Sequence, residues 1–504
     1  MYRIRTGGRK GSALVVALIT AVVLSILVGA LFMLFKANVA SYEWQKEDLQ
    51  AMYTAEAGTR LATFMILDGT TVPQDTTTQF LPPSGNTWFD LPGENLGETL
   101  VYVDPHHDNG QITSANAYGV RALGRIVANE DAYTYGMETL IMPENFARFS
   151  CFQNLGFQTG YYSDGYRFDG PFHSNGSINI FSENMTSLND PYFYSLSIAR
   201  RTGGDGYYYG QSAAGGVLTT SPKIGNLEIQ PYQRMLMGPP YFDMHADSIP
   251  YGPTEVNWQA AYNAAVSGGL YFDASSTLGE LADGSRISIS HDTLRILQSN
   301  GGPISVYACD SLVNPVVWID NAPTDRIFIR QYRPLMPNDG LDIPLTIGMN
   351  GDLYCSGNCE YSNTNIMDPN NNDMLGLITV HGDIIIANDE SYSGDPEWTN
   401  GFQILTDGSF NFDAVFMALD GDIHAEDYHH PDSLARSFEI LGGYIAQNEG
   451  PTSTSSSGFE IVITYDTRLM TKNPPYFPST GQWNTVFWED RPDLDIHNIK
   501  EDRY

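Results

Sequence analysis

The feature that most constrains this chain is an uncharged apolar segment close to its N-terminus. Residues 12–35, SALVVALITAVVLSILVGALFMLF, contain no acidic or basic side chain. A helix of that length is about 36 Å long, which is enough to cross the hydrocarbon core of a bilayer. Residues 1–11 carry four basic side chains and no acidic one, so a cytoplasmic N-terminus is expected. The sequence therefore predicts a single-pass protein of the cytoplasmic (inner) membrane whose remaining residues are exported.

The charge of the chain excludes one large class of partners. Its formal net charge is −33, so nothing in its composition is suited to neutralise the phosphate backbone of a nucleic acid. The hydrophobic fraction of 42% is sufficient for a packed core. A length of 504 residues predicts two or three domains, or one elongated domain. The 48 glycines and many aromatic residues favour short strands and turns over helical bundles.

The helical pattern continues beyond the apolar segment. Residues 36–67 are rich in helix formers and contain no proline. On a helical projection Leu49, Tyr53 and Phe64 share one face. The opposite face carries a stripe of small residues: Ala51, Ala55, Gly58 and Ala62. Because small side chains allow backbones to approach closely, this stripe predicts packing against other helices. The alternative is a stalk helix whose alanines only satisfy helix propensity.

The N-terminal motifs together resemble those of type IV pilin-like proteins, and most closely PilX-type minor pilins. The motifs are a basic leader that ends at Gly11, the ALVVAL start at Ala13–Leu18, and the AEAG sequence at Ala55–Gly58. The resemblance implies cleavage between Gly11 and Ser12 by a prepilin peptidase. It also implies that the helix inserts in membrane lipid and then packs with other pilins. Major pilins have Glu where this chain has Val16, a departure that PilX-type pilins commonly share, so a bulk-subunit role is not implied.

Residues 98–142 alternate between apolar and polar side chains in three runs. The runs are ETLVYVDP, ANAYGVRALGRIV and DAYTYGMETLIM. Alternation with a period of two indicates strands with two different faces. The sequence therefore predicts a small antiparallel sheet after the helix.

A second pattern recurs in the C-terminal half, where short apolar strands follow a glycine. Gly351, Gly382 and Gly421 are each followed by Asp and aliphatic residues, and Gly443 begins a related segment. Recurrence with uneven spacing fits a solenoid with corner loops of variable length. Glycine suits a sharp corner because it accepts positive φ. We predict a right-handed parallel β-helix, with a two-sheet sandwich as the alternative.

The predicted fold class is α+β, with the long helix, the small sheet and then a mainly β domain. Motifs such as PLTIGMNGDLYC and LGLITVHGDIII resemble an uncharacterised bacterial envelope domain that is found behind PilX-type helices and is expected to be a β-solenoid. The predicted organisation is a leader (1–11), transmembrane segment (12–35), extended pilin helix (36–67), small antiparallel region (68–145), start of the solenoid (146–184), insertion (185–300), solenoid (301–490) and C-terminal tail (491–504).

Three groups of residues are candidates for chemistry. Asp320, Arg326 and Arg330 lie in or near VVWIDN, which resembles a strand motif of pectate lyases, although Asn321 follows the Asp where those enzymes have His. Cys355 and Cys359 are a candidate disulfide in an exported domain, with buried free thiols as the alternative. An Asp/Asn-rich turn offers hard oxygen ligands for calcium, although solvated turns of this kind are common. Its candidate ligands are Asp368, Asn370, Asn372 and Asp373.

We therefore expect a non-catalytic minor pilin-like protein of a type IV pilus or secretion pseudopilus. Its partners would be other pilins, the prepilin peptidase and membrane lipid, with no cofactor except the candidate calcium. After assembly it would lie in the pilus or at the cell surface, with an acidic β head for interactions at the tip. The alternatives are a permanently anchored envelope binding module and a β-helix enzyme that acts on polysaccharides.

Overall fold

The structure is a computed structural model of the 504-residue chain. The residues it describes are 10–67, 78–82, 88–91, 97–104, 118–126, 134–155, 167–176, 178–181, 192–199, 207–210, 217–219, 242–299, 304–320, 324–331, 340–363, 365–368, 371–387, 410–426, 428, 436–453, 457–470, 472–491, 494–495 and 499.

The chain forms two compact units. The first unit comprises residues 1–107, 118–141 and 485–503, and the second comprises residues 108–117, 142–484 and 504. In sequence the second unit is therefore inserted into the first. The predicted division placed residues 301–490 in the β-solenoid, but residues 485–490 belong to the first unit.

The first unit begins with one continuous helix, α1 (Lys10–Leu67). The long N-terminal apolar helix is thus confirmed, and it includes the extension beyond residue 35. A six-stranded sheet follows, in the order β1-β3-β4-β5-β26 with β2 beside β3. The pairs β3–β4 and β4–β5 are antiparallel, as predicted for residues 98–142. The strands are β1 (Gln79–Leu81), β2 (Phe89–Asp90), β3 (Glu98–Asp104), β4 (Tyr118–Arg125), β5 (Thr134–Asn145) and β26 (Ser479–Asp490).

The described residues of the second unit form mainly short strands and a ten-residue helix, α2 (Gln259–Gly268). Its strands are β6 (Cys151–Gln153), β7 (Arg167–Ser174), β8 (Ile178–Phe181), β9 (Tyr192–Ala199), β10 (Tyr207–Gly210), β11 (Val217–Thr219), β12 (Phe242–Ala246), β13 (Leu270–Phe272), β14 (Ser285–Ser290), β15 (Thr293–Leu297), β16 (Ser305–Ala308), β17 (Val316–Ile319), β18 (Arg326–Gln331), β19 (Pro344–Met349), β20 (Asp352–Cys355), β21 (Met374–Thr379), β22 (Ile384–Ile386), β23 (Phe410–Ala425), β24 (Arg436–Glu449) and β25 (Phe459–Tyr465).

Most of these strands pair in parallel with a strand from the next chain segment. The first ladder runs β13-β17-β19-β21-β23-β24-β6-β7-β9-β12. The second ladder runs β14-β18-β20-β22-β23. A third joins the first halves of β23 and β24 to β25, which meets β7 at Phe168. The ladders belong to one hydrogen-bonded set that closes on itself.

The remaining strands pair differently. Strands β14, β15 and β16 form an antiparallel meander. Strand β10 pairs in parallel with β8 and antiparallel with β11 in a separate sheet. Because β9 and β12–β15 belong to the ladders or the meander, the predicted insertion at 185–300 supplies part of the same strand set.

An apolar core lies between the ladders. Alternate residues of the strands whose side chains the structure describes enter it, as expected for strands with one buried face. In the second ladder these are branched aliphatic side chains: Ile287, Ile289, Ile327, Ile329, Leu353, Ile384 and Ile386. The outward side of the first ladder is buried too, because α2 and neighbouring aromatic residues cover it.

The recurring Gly-Asp steps lie at one corner, between the first and second ladders. The Asp352 Oδ1 accepts the N–H of Asp383 at 2.9 Å, and the Asp383 Oδ1 accepts the N–H of Asp422 at 2.7 Å. A Cβ on Gly421 would lie 2.3 Å from the Gly382 carbonyl oxygen. Glycine is thus required here by close stacking, and the positive φ expected from the sequence is not observed at Gly382 or Gly421. Gly443 is not part of this corner, because it lies within β24 beside Val415.

The order of strands in the first ladder differs from their order in the chain. The N-terminal strands β6, β7, β9 and β12 follow the C-terminal strand β24. After β12, a return segment (residues 247–269) leads the chain to the opposite end of the ladder. The Tyr251 hydroxyl donates to the Ala418 carbonyl at 2.8 Å, and the Trp258 ring stacks on Trp318 at 5.4 Å. These contacts hold the return segment along the outside of the first ladder.

Candidate functional site: the N-terminal helix

The N-terminal part of α1 exposes apolar side chains on every side. From Leu14 to Phe35 its large hydrophobic residues are all exposed in the isolated chain. The helix is long and apolar enough to cross a membrane. A helix that is apolar all round requires an apolar environment, which is either lipid or other apolar helices. This part of α1 is therefore the candidate site of membrane insertion.

The C-terminal part of α1 packs against the sheet of its own unit through the stripe of small residues. Ala51, Ala55, Gly58 and Ala62 are all buried. A Cβ on Gly124 of β4 would lie 2.3 Å from the carbonyl oxygen of Ala51 and the nitrogen of Ala55. The helix and the sheet therefore meet backbone to backbone. The sequence assigned this stripe to packing against other helices, but the chain's own sheet covers it.

The opposite face of α1 is apolar and exposed. Leu49, Tyr53 and Phe64 are 50%, 60% and 64% exposed. Glu56 and Arg60 on the same face form an ion pair at 2.6 Å. A shallow groove of about 350 Å³ lies along this face and is lined by Tyr42, Gln45, Lys46, Leu49, Gln50 and Tyr53. We call the three exposed residues Leu49, Tyr53 and Phe64 the free face of α1. It is an exposed apolar surface of this part of the helix.

The sheet of the first unit also buries a charged cluster that the sequence analysis missed. The Arg121 Nε donates to the Glu138 Oε1 at 2.8 Å, and Arg491 donates to the other carboxylate oxygen of Glu138. Leu494 and Ile499 pack beside this cluster with Leu100, Tyr102 and Leu123. Arg121 of β4 and Glu138 of β5 are directly opposite each other in the sheet. Opposite charges on two neighbouring strands were therefore the sequence signal that could have predicted this ion pair.

The predicted processing site lies at the start of α1. Gly11 and Ser12 both belong to the helix, which begins at Lys10. Their side chains and residues 1–9 lie outside the described residues. Cleavage between Gly11 and Ser12 therefore remains a prediction.

Three of the four candidate calcium ligands make contacts within the chain. The Asp373 Oδ2 accepts the N–H of Asn363 at 2.8 Å, and the Asp368 Oδ2 accepts from the Asn363 side chain at 3.2 Å. The Lys472 ammonium donates to the Asn372 Oδ1 at 2.8 Å, so a cation of the chain already contacts this turn. Asn370 lies outside the described residues. Within the described ranges no cluster of three or more His, Cys, Asp or Glu side chains has a metal-binding arrangement.

The two cysteines of the candidate disulfide are both buried and both free thiols in the structure. Burial raises the pKa of Cys355 and Cys359 well above the usual range of a thiol. A raised pKa lowers the thiolate fraction, and the thiolate is the reactive form. As folded, these side chains belong to the apolar core, and their pairing remains a prediction.

The residues of the lyase-like motif make separate contacts within the chain. Val317 and Ile319 face the core, and Trp318 is buried on the other side of the strand. Asp320 accepts hydrogen bonds from the Tyr271 hydroxyl at 3.2 Å and from the Asn350 side chain. Arg326 forms two hydrogen bonds with the Asp283 carboxylate. Asp320 and Arg326 thus contact different partners.

Comparisons with known proteins give a distant likeness to a solved structure. No protein-family model matches the sequence, and no curated protein matches it. Among solved structures, the competence-associated pilin ComZ from Thermus thermophilus is similar over 88% of this chain and 97% of its own. The sequence identity is 11% and the TM-score is 0.29. A likeness this distant defines neither the fold nor the function of this chain.

Proposed function

We propose that this chain is a non-catalytic, pilin-like subunit that α1 holds in the cytoplasmic membrane and joins to other subunits. The observation that carries the proposal is the division of α1 into three surfaces. Its N-terminal part is apolar all round, its C-terminal part packs on the sheet along one side, and the free face stays exposed on the other side. A helix that served only as an anchor would not need an apolar face beyond the membrane.

The finer assignment is to a minor pilin of the PilX type. The leader that ends at Gly11 and the AEAG sequence support it. In this proposal a prepilin peptidase removes residues 1–11, the N-terminus faces the cytoplasm, and Val16 replaces the Glu of bulk subunits. The second unit then forms a large acidic head at or near the filament tip, where its volume is tolerated.

The head itself is proposed to be a right-handed β-solenoid. Three parallel ladders around one apolar core support this architecture, since strands from successive chain segments stack in register. The strand set closes on itself because β23, β24 and β7 each run from one ladder into another. Parallel crossovers are right-handed in about 98% of cases, which supports the handedness.

The test compares two substitutions that add one negative charge at an exposed aliphatic residue. Leu49→Glu changes the free face of α1, and Val313→Glu changes a residue of the second unit that is 85% exposed. Both variants should reach the membrane at the level of the unmodified chain. Leu49→Glu should be depleted from sheared filaments, because a charge in a helix–helix contact loses its water, and Val313→Glu should not be.

N-terminal sequencing of the membrane form completes the test. A mature chain that begins at Ser12 supports the processing proposal. A chain that retains its leader and is absent from filaments would instead identify a permanently anchored binding module.

A further inference from the structure

The buried carboxyl group of Asp413 joins two chain segments at one corner of the second unit. Asp413 lies on β23 and is 6% exposed. Its Oδ2 accepts the N–H of Tyr361 at 2.8 Å. The backbone adds two bonds beside it, from the Cys359 N–H to the Asn411 carbonyl at 2.9 Å and from the Asp413 N–H to the Cys359 carbonyl at 2.6 Å. We call residues 356–363 the corner segment. The carboxyl of Asp413 is thus a side-chain link between the corner segment and β23.

The charges around Asp413 are unbalanced. From the corner segment, Glu360 and the phenol of Tyr361 face it together with the thiol of Cys359. From the turn after β25, Asp466 and Arg468 face it, and the Arg468 guanidinium binds the Asp466 carboxylate by hydrogen bonds of 2.6–3.1 Å. Strand β24 places the apolar Leu441 opposite Asp413. The Arg468 cation is therefore already paired with another acid, Asp466.

These surroundings favour the protonated carboxyl. Burial raises the pKa of Asp413 to about 7, and the carboxylates of Glu360 and Asp466 act in the same direction. The Tyr361 N–H and the Arg468 charge oppose the shift without cancelling it. For a carboxyl whose pKa is raised by folding, the folded state binds the proton more tightly than the unfolded state. Stability is then greatest below the usual carboxyl range and falls as the pH rises to about 7.

We propose that Asp413 is a proton-operated latch for the corner segment. When the carboxyl is neutral, it fits the buried corner and holds the Tyr361 amide. When it ionises, it adds a third acidic charge beside Glu360 and Asp466. The segment then opens more often, since opening returns the new charge to water. The latch does not depend on the proposed role in a filament.

Hydrogen exchange of the full chain between pH 5 and pH 8 tests the latch. The protection factor of the Tyr361 amide, corrected for the intrinsic exchange rate, should fall about tenfold between pH 6 and pH 8. Asp413→Asn keeps an oxygen acceptor for that amide and carries no charge, so its protection should not depend on pH. Asp420→Asn, at an exposed position farther along β23, is the matched control and should keep the profile of the unmodified chain.

A second variant covers the case in which Asp413→Asn fails to fold. Glu360→Gln removes one of the charges that raise the Asp413 pKa, so the midpoint of the profile should move to lower pH. The latch is overturned if the protection of Tyr361 in the unmodified chain is independent of pH. It is also overturned if Asp413→Asn keeps the same dependence or Glu360→Gln leaves the midpoint unchanged.

Discussion

Gly58 of α1 lies directly against Thr99 of β3, and a Cβ atom on Gly58 would come within 2.1 Å of the Thr99 Oγ1. Real Cβ atoms do not approach another heavy atom so closely. Nothing larger than glycine therefore fits at this position unless the helix moves away from the sheet. The contact makes Gly58 a residue of the fold, whereas the sequence pattern suggested a residue of subunit assembly.

Replacing Gly58 should consequently destabilise the first unit. Gly58→Leu should lower the free energy of unfolding by about 1–3 kcal/mol or more, because the added side chain overpacks the helix–sheet contact. Thermal unfolding of the full chain in detergent measures the effect. Leu49→Ala on the free face of α1 is the control and should change stability by less than about 0.5 kcal/mol. Equal stability of Gly58→Leu and the unmodified chain would contradict the observed packing.

The buried cluster around Glu138 should respond unequally to the loss of its members. Glu138→Leu leaves Arg121 and Arg491 without their shared carboxylate, which should cost about 3–5 kcal/mol. Arg121→Leu should cost less, since Arg491 still pairs with Glu138. Denaturant unfolding of both variants gives the comparison. The interpretation fails if the two variants are equally stable.

The stacked Asp side chains at the Gly-Asp corner should act as hydrogen-bond acceptors. Asp383→Ala removes the acceptor of the Asp422 amide and should cost about 1–3 kcal/mol. Asp383→Asn retains a side-chain oxygen at the same position and should be close to neutral. A similar loss for both variants would show that the charge of Asp383 matters and the hydrogen bond does not. Urea unfolding of both variants measures the difference.

The first unit should fold without the second. Strands β5 and β26 are neighbours in its sheet, and the Phe146 N–H donates to the Pro478 carbonyl at 3.1 Å, so the chain leaves and returns at adjacent positions. Replacing residues 147–477 by an Asn-Gly turn should leave a small protein that unfolds cooperatively and has both helix and strand signals in circular dichroism. An aggregated or unstructured product would argue against its independence.

Thiol counting distinguishes the two states of the cysteines. The structure has four buried free thiols, so a thiol reagent should react with none in the folded chain and with four after unfolding without reductant. Two missing thiols after unfolding, together with a linked peptide containing Cys355 and Cys359, would establish the disulfide predicted from the sequence.

The sequence predicted the elements of the first unit better than the way they pack. An uncharged run and strict alternation are local patterns, so α1 and the strands β3, β4 and β5 could be found from them. Both faces of the extended helix were suitable for burial, one because its side chains are small and the other because its side chains are large and apolar. The choice between them depends on Gly124 and Thr99, which lie far from α1 in sequence and fit only the small face.

The same limit applies to the second unit. The Gly-Asp steps indicated a recurring corner, and three of them do stack, but their uneven spacing carried no information on which strands come from elsewhere in the chain. The pairing of β24 with β6 joins Tyr444 to Cys151, and no local pattern predicts a contact of that sequence separation. Residues 185–300 were predicted to be an insertion because their strands lack the Gly-Asp steps on which the solenoid prediction rested.

The position of β6 beside β24 has a consequence for biosynthesis. Strands β6 and β7 are synthesised long before β24. This face of the ladder therefore cannot close until β24 has been synthesised. Contacts of such long sequence separation form slowly, because a large loop must be ordered first. Until β24 and β25 emerge, the nascent chain presents unpaired strand edges and apolar side chains such as Phe152 and Phe172 to its surroundings. This face of the second unit therefore closes later in synthesis than in a repeat protein whose coils close in chain order.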